Sequence, residues 1–179
     1  TGNGPAAFEQ SKGAVGQMHA NLAAAGIDRN AVDAVIISHF HGDHINGLLT
    51  ADNKPAYPNA ELLVPAAEWK FWTDPSKTEG NWANVKRVFG ALGNKVTQYE
   101  GDKEIVPGIT AVSTPGHTPG HTSHLLSSGN ASVMVQADVT NHPALFARNP
   151  GWRVMFDMDG AKAEETRRKL YDRLAADKT

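Results

Sequence analysis

The spacing of apolar positions changes along the chain. Over residues 5–25, Phe8, Val15, Met18 and Leu22 fall on one helical stripe and Gly26 follows as a stop, which predicts a single helix there. Ala34-Val35-Ile36-Ile37 is a short apolar, β-rich run and predicts a buried strand. It leads straight into Ser38-His39-Phe40-His41-Gly42-Asp43-His44. Glu61-Leu62-Leu63-Val64 predicts a second strand, closed by Pro65, with a helix following through Trp69 to Trp72. Residues 82–92 predict a further helix with Gly93-Asn94 as its C-terminal cap. Past that point the runs shorten to strand length at 95–99, 109–113, 121–126 and 132–136, each between Gly, Pro, Asn or Ser. Residues 160–176 predict a last helix, with Asp159 as N-cap. Strands and helices mix without strict alternation, which favours a layered α/β protein with a mixed sheet.

No repeat or linker divides the 179 residues, so one domain spanning 1–179 is expected. The chain opens on the turn residues Thr1-Gly2-Asn3-Gly4-Pro5 and stops at 175–179 without a cap signal, so the domain is expected to be incomplete at both ends. A hydrophobic share of 40% with 20% charged residues is that of an ordinary globular protein. No apolar run is long enough to span a membrane. A net charge of −2 without any Lys/Arg run argues against nucleic acid or an anionic membrane as partner. The absence of cysteine excludes disulfides, thiolate ligands and a Cys nucleophile. It suits cytoplasm and periplasm alike, and the opening residues carry no secretory signal, so the compartment stays open between the two. The oligomeric state also stays open, a homodimer included.

The chemistry lies in the histidines. Six of the eight sit in two short segments. The first, His39-Phe40-His41-Gly42-Asp43-His44, is an H-x-H-x-D-H pattern just past the end of a strand, where α/β sheets commonly place their sites. In extended chain, side chains at i and i+2 point the same way, so His39 and His41 can grip one ion. Asp43 and His44, at a turn just beyond, can face a second. Nitrogen and oxygen donors of this kind suit zinc, iron, manganese or cobalt. The second segment, Thr114-Pro115-Gly116-His117-Thr118-Pro119-Gly120-His121-Thr122-Ser123-His124, carries His117 between tight Pro-Gly turns. Taken alone, a histidine there is more often structural. The next acid, Asp138, follows His117 by 21 residues, the length of one hairpin returning to the same sheet edge.

Together these motifs resemble the metallo-β-lactamase superfamily. The opening Thr1-Gly2 resembles the end of that family's D-T-G segment. Leu22-Ala23-Ala24-Ala25-Gly26, Tyr57-Pro58-Asn59-Ala60, Phe71-Trp72, Val106-Pro107-Gly108 and Gly116-His117-Thr118-Pro119-Gly120-His121-Thr122 are similar to the branch of methyl parathion hydrolase and lactonase-like enzymes. The resemblance implies an αββα sandwich of two mixed sheets flanked by helices. It implies two divalent metal ions, zinc foremost, with manganese, cobalt or iron as alternatives. His39, His41 and His117 would hold the first ion, Asp43 and His44 the second, and Asp138 would bridge them. A further histidine for the second ion is expected beyond Thr179. His121 is expected in a supporting or structural role, and His19 and His142 as ordinary residues.

The implied activity is hydrolysis of an ester, lactone or phosphotriester of a small molecule by a bridging hydroxide, with Asp43 doubling as proton acceptor. Trp72 would wall the substrate pocket, although packing in the core is an equal reading of Trp69, Phe71, Trp72 and Trp82. The competing reading on the same fold is a mononuclear-iron dioxygenase of the persulfide dioxygenase type, which the motif does not exclude. A nuclease fits poorly with the net charge of −2.

Overall fold

The computed structural model describes residues 1–93 and 95–177. They form two compact units, one of Thr1–Val64 with Trp69–Gln98, the other of Pro65–Glu68 with the chain from Tyr99 onward.

In the first unit the single helix expected over 5–25 is two short ones, α1 (Pro5–Gln10) and α2 (Met18–Ala24). Between them Lys12, Gly13 and Gly16 have φ of 54°, 87° and 74°, a left-handed backbone that no α-helix accommodates. A Cβ on Gly16 would stand 2.3 Å from the Gly4 carbonyl oxygen, so the chain doubles back where only glycine fits. The expected stripe fails with the helix: Val15 and Met18 are each 43% exposed. Strand β1 (Ala34–Ile36) pairs in parallel with β2 (Glu61–Pro65), Val35 opposite Leu62, and β3 (Val96–Tyr99) completes a sheet of order β1-β2-β3. Helix α3 (Gly42–Ile45) follows β1, and α4 (Ala66–Trp72) and α5 (Asn81–Leu92) lie between β2 and β3 in the chain. Helix α5 buries Val85, Val88 and Phe89, the i, i+3, i+4 face of an amphipathic helix, in a core with Phe40, Ile45, Leu48, Leu62 and Val64. Gly93, with φ of 66°, ends α5; Asn94, the other half of the expected cap, lies outside the described residues.

The second unit is an antiparallel meander of order β4-β5-β6-β7. Its strands are β4 (Glu104–Val106), β5 (Ile109–Ser113), β6 (Thr122–Ser128) and β7 (Ala131–Val135). Strand β4 has only three residues, between Lys103 and Pro107, and carries no periodic signal. It forms because the turn at Gly108, with φ of 80°, lays it back on β5. Ala111 opposes His124 across β5 and β6, and His124 opposes Val135 across β6 and β7. A short helix α6 (Pro143–Phe146) precedes α7 (Gly160–Asp177). The Lys162 N–H donates to Asp159 Oδ1 at 2.9 Å, the cap bond expected of Asp159. Helix α7 buries Ala163, Thr166, Arg167 and Leu170. Among the described residues no helix is long and apolar enough to cross a membrane.

Candidate functional site

Within the first unit the H-x-H-x-D-H segment continues β1 as extended chain and then turns into α3 at Gly42. Phe40 points into the core, fully buried with its ring 4.6 Å from that of Phe89. This anchor sends its two neighbours to the other side. The ring of His39 lies 4.9 Å from that of His41 and 4.0 Å from that of His44. His39 is fully buried, with Nδ1 3.2 Å from Ser38 Oγ. Asp43 and His44 share the single turn of α3, with Oδ2 and Nε2 3.6 Å apart. The loop is held from outside its own sequence. Asn81 Nδ2 donates to the Phe40 carbonyl at 2.9 Å, and Thr1 Oγ1 donates to the His44 carbonyl at 2.6 Å. A Cβ on Gly47 would stand 1.9 Å from the Thr1 carbonyl oxygen, so the opening residues seat only against a glycine. Trp72 is 2% exposed, its ring 6.0 Å from that of His41 and 4.7 Å from that of Trp82.

Within the second unit the Thr-Pro-Gly-His repeat closes on itself. The Thr114 N–H donates to the His121 carbonyl at 2.9 Å and the Gly116 N–H to the Thr118 carbonyl at 3.0 Å. His117, 2% exposed, has Nε2 3.2 Å from Asp138 Oδ2 and Nδ1 2.9 Å from Asp157 Oδ1. Burial alone would pull its pKa down. The two carboxylates outweigh that and raise it to about 9. Asp138 sits on a tight turn after β7, entered through Ala137 at φ of 48°, a left-handed conformation that costs a non-glycine residue about 1 kcal/mol. His121 is turned to structure: Nε2 accepts the Asp138 N–H at 3.1 Å and Nδ1 lies 2.9 Å from Thr114 Oγ1. His124 is buried against Tyr99, Nε2 to Oη 2.9 Å. His19, in the first unit, has Nε2 2.7 Å from the Gly47 carbonyl, and the exposed His142 precedes α6.

The residues marked by the motifs therefore gather in two sets: His39, His41, Asp43 and His44 in one unit, and His117 with Asp138 in the other. All the donors are imidazole nitrogen or carboxylate oxygen, the set that fits a borderline cation such as zinc. The placement of His117 supports the fit. Its Nε2 and Asp138 Oδ2 face each other from 3.2 Å, a nitrogen and an oxygen donor close enough for one cation to take both. Asp157 and Arg167 lie outside every motif. Arg167 did offer a signal, since it falls on the same stripe of α7 as Ala163, Thr166 and Leu170, and a cation on a core stripe demands a buried anion.

The family model described as "Metallo-beta-lactamase superfamily" matches residues 1–177. An N-acyl homoserine lactonase of Bacillus sp is 33% identical over 110 residues, 59% of this chain and 38% of that protein. The N-acyl homoserine lactonase AttM of Agrobacterium fabrum is 29% identical over 134 residues, 72% of this chain and 47% of its own length. The chain thus spans less than half of these curated relatives. Among solved structures, AidC, described as a dizinc quorum-quenching lactonase in complex with a product, superposes with a TM-score of 0.85 at 26% identity over 98% of this chain and 63% of its own. The hydrolase AbOPH, described as in the beta lactamase superfamily, gives a TM-score of 0.80 at 27% identity over 90% of this chain and 60% of its own.

Proposed function

This chain belongs to the metallo-beta-lactamase superfamily, whose fold of two sheets flanked by helices it adopts, and from that premise we propose that it hydrolyses the ring ester of an acylated lactone with the help of two divalent cations, zinc foremost. The observation that carries this reading is His117, its Nε2 aimed at Asp138 and its opposite nitrogen already engaged by a second carboxylate. The relatives described as lactonases support the substrate class.

His39, His41 and His117 would hold one cation, Asp43 and His44 the other, and Asp138 both. Cations bound there supply a water acidified towards neutral pH and a Lewis acid for the carbonyl oxygen. Asp43, with its side chain 54% exposed, accepts the proton of the attacking water on a carboxylate oxygen. It returns that proton to the ring oxygen as the ester bond breaks. One C–O bond forms at the carbonyl carbon and one breaks, giving a hydroxy acid. Trp72, beside His41, offers an apolar wall to the acyl chain.

The test is metal content by elemental analysis alongside turnover of a lactone, an aryl ester, an aryl phosphotriester and a β-lactam. Two equivalents of zinc, manganese or cobalt with lactone opening are expected. One equivalent of iron without hydrolysis of any of the four would overturn the reading in favour of a dioxygenase.

A further inference from the structure

A carboxylate only accepts, so the proton in the 2.9 Å contact between His117 Nδ1 and Asp157 Oδ1 sits on the ring nitrogen. In a neutral imidazole that leaves the Nε2 lone pair as the donor to a cation, on the side facing Asp138. A ring able to flip or exchange tautomers would present N–H there for part of the time and lose affinity in proportion. We propose that Asp157 is the positioning residue for His117, fixing its tautomer and ring plane, and that the buried guanidinium of Arg167 holds Asp157 in that role. The proposal rests on His117 being a metal ligand, as read above.

Arg167 is fully buried and brings a guanidinium cation into the interior. Its Nε donates to the Val139 carbonyl at 2.7 Å, and Nη1 to the carbonyls of Pro150 at 2.9 Å and Trp152 at 2.7 Å. Its carbon Cζ lies 4.6 Å from the centre of the Phe146 ring. Neutral carbonyls take the hydrogens of Nε and Nη1 without neutralising the guanidinium, and a buried charge without an opposite charge is strongly disfavoured. The anion is Asp157, its Oδ2 3.7 Å from Arg167 Nη2 and its side chain equally buried. Neither of those two atoms has a hydrogen bond among the described residues, so each is compensated chiefly by the other's charge.

Two backbone bonds set the direction of Asp157. The Met158 N–H donates to the His117 carbonyl at 3.1 Å and the Asp159 N–H to the Gly116 carbonyl at 3.0 Å. These tie the strap before α7 to the turn carrying His117, with Asp157 against the ring. The bond from Arg167 to Val139 grips the residue after Asp138. One buried cation thus steadies both the carboxylate behind His117 and the turn that carries Asp138.

The test compares wild-type protein with Asp157→Asn and with the pair Asp157→Asn/Arg167→Met. The single change leaves Arg167 buried without an anion and threatens the fold; the pair removes both charges. Each protein is stripped of metal and titrated with zinc against a chromophoric chelator, its zinc counted by elemental analysis. The nitrogen and proton resonances of its labelled histidines are recorded in the zinc-loaded state. In wild type, two zinc ions and a slowly exchanging proton on His117 Nδ1 are expected. In the folded double variant, the affinity for one zinc should fall by about 10- to 100-fold with the other unchanged. The His117 Nδ1 proton should then exchange rapidly while the other histidine signals stay.

Unchanged zinc affinity and an unchanged His117 signal in the folded double variant would overturn the proposal and leave the metal reading intact. A wild-type protein that binds no zinc overturns both. If the double variant gives no cooperative melt, Arg167→Lys serves in its place. It keeps the cation, loosens its grip on Asp157, and should show both changes in weaker form. An Arg167→Lys protein identical to wild type in both would sink the idea.

Discussion

His121 Nε2 accepts the backbone N–H of Asp138 at 3.1 Å, so one histidine of the Thr-Pro-Gly-His repeat acts as a strut for the turn that carries a neighbouring acid. Its other nitrogen meets Thr114 Oγ1, which lies 3.0 Å from Ser123 Oγ, and that hydroxyl donates to the Gln136 carbonyl. Replacing His121 with Ala strands the Asp138 N–H in a half-buried turn and should cost about 1–3 kcal/mol. Thermal unfolding should show the loss, and zinc affinity should fall with it because Asp138 is no longer held. A variant as stable as wild type would show that the strut is dispensable.

Gly116 has φ of 134°, and a Cβ there would stand 2.3 Å from the Ala163 backbone nitrogen. Backbone on both sides of the clash leaves nothing flexible to yield. Gly116→Ala should therefore destabilise by several kcal/mol, on the order of 3 or more. Gly129 is the control: its φ is 57°, but open space surrounds it, so Gly129→Ala should cost only about 1 kcal/mol. Denaturant melts of the two variants check the contrast, and equal losses would contradict it.

Burial lowers the pKa of His124 to about 4 from an ordinary 6.5. The folded state resists protonating this ring while the unfolded chain takes up the proton at its ordinary pKa. The neutral ring's contribution is therefore fully present above pH 6.5. It is lost as the pH falls through the folded value near 4, for a total of about 3 kcal/mol. His124→Gln, which can still accept from Tyr99, should flatten stability across that window. Urea midpoints measured at several pH values would reveal it, and parallel curves for the two proteins would reject it.

Trp72 is 2% exposed between Phe71 and Trp82, so Trp72→Ala should cost about 3–5 kcal/mol whatever else it does. Trp72→Phe separates the roles. If the indole walls the acyl site beside His41, KM should rise several-fold for long acyl chains and little for short ones, with zinc content unchanged. The same KM along the series, with only a lower melting temperature, would reduce Trp72 to core packing.

Much of the second unit was readable because its signals are local. Strand-length runs bounded by Gly and Pro become β5, β6 and β7, and Asp159 caps α7. The first helix misled because its stripe of Phe8, Val15, Met18 and Leu22 counts spacing alone, whereas Gly13 and Gly16 break the backbone at positive φ. Strand β4 escaped notice because three residues give alternation no room, and its pairing comes from the turn at Gly108.

The sequence by itself determined the candidate donors. H-x-H-x-D-H after an apolar run places two histidines on one side of an extended segment, and the Pro-Gly turns present His117, because spacing over a few residues translates directly into local geometry. The resemblance already implied a supporting or structural role for His121; only the tertiary structure decided which groups it braces and what stands behind His117. Asp157 lies 40 residues from His117 in sequence, and Arg167 ten beyond it, one helix away. No local period encodes such pairs. They are selected by the need of each buried charge for an opposite one, which is met only once the chain has folded.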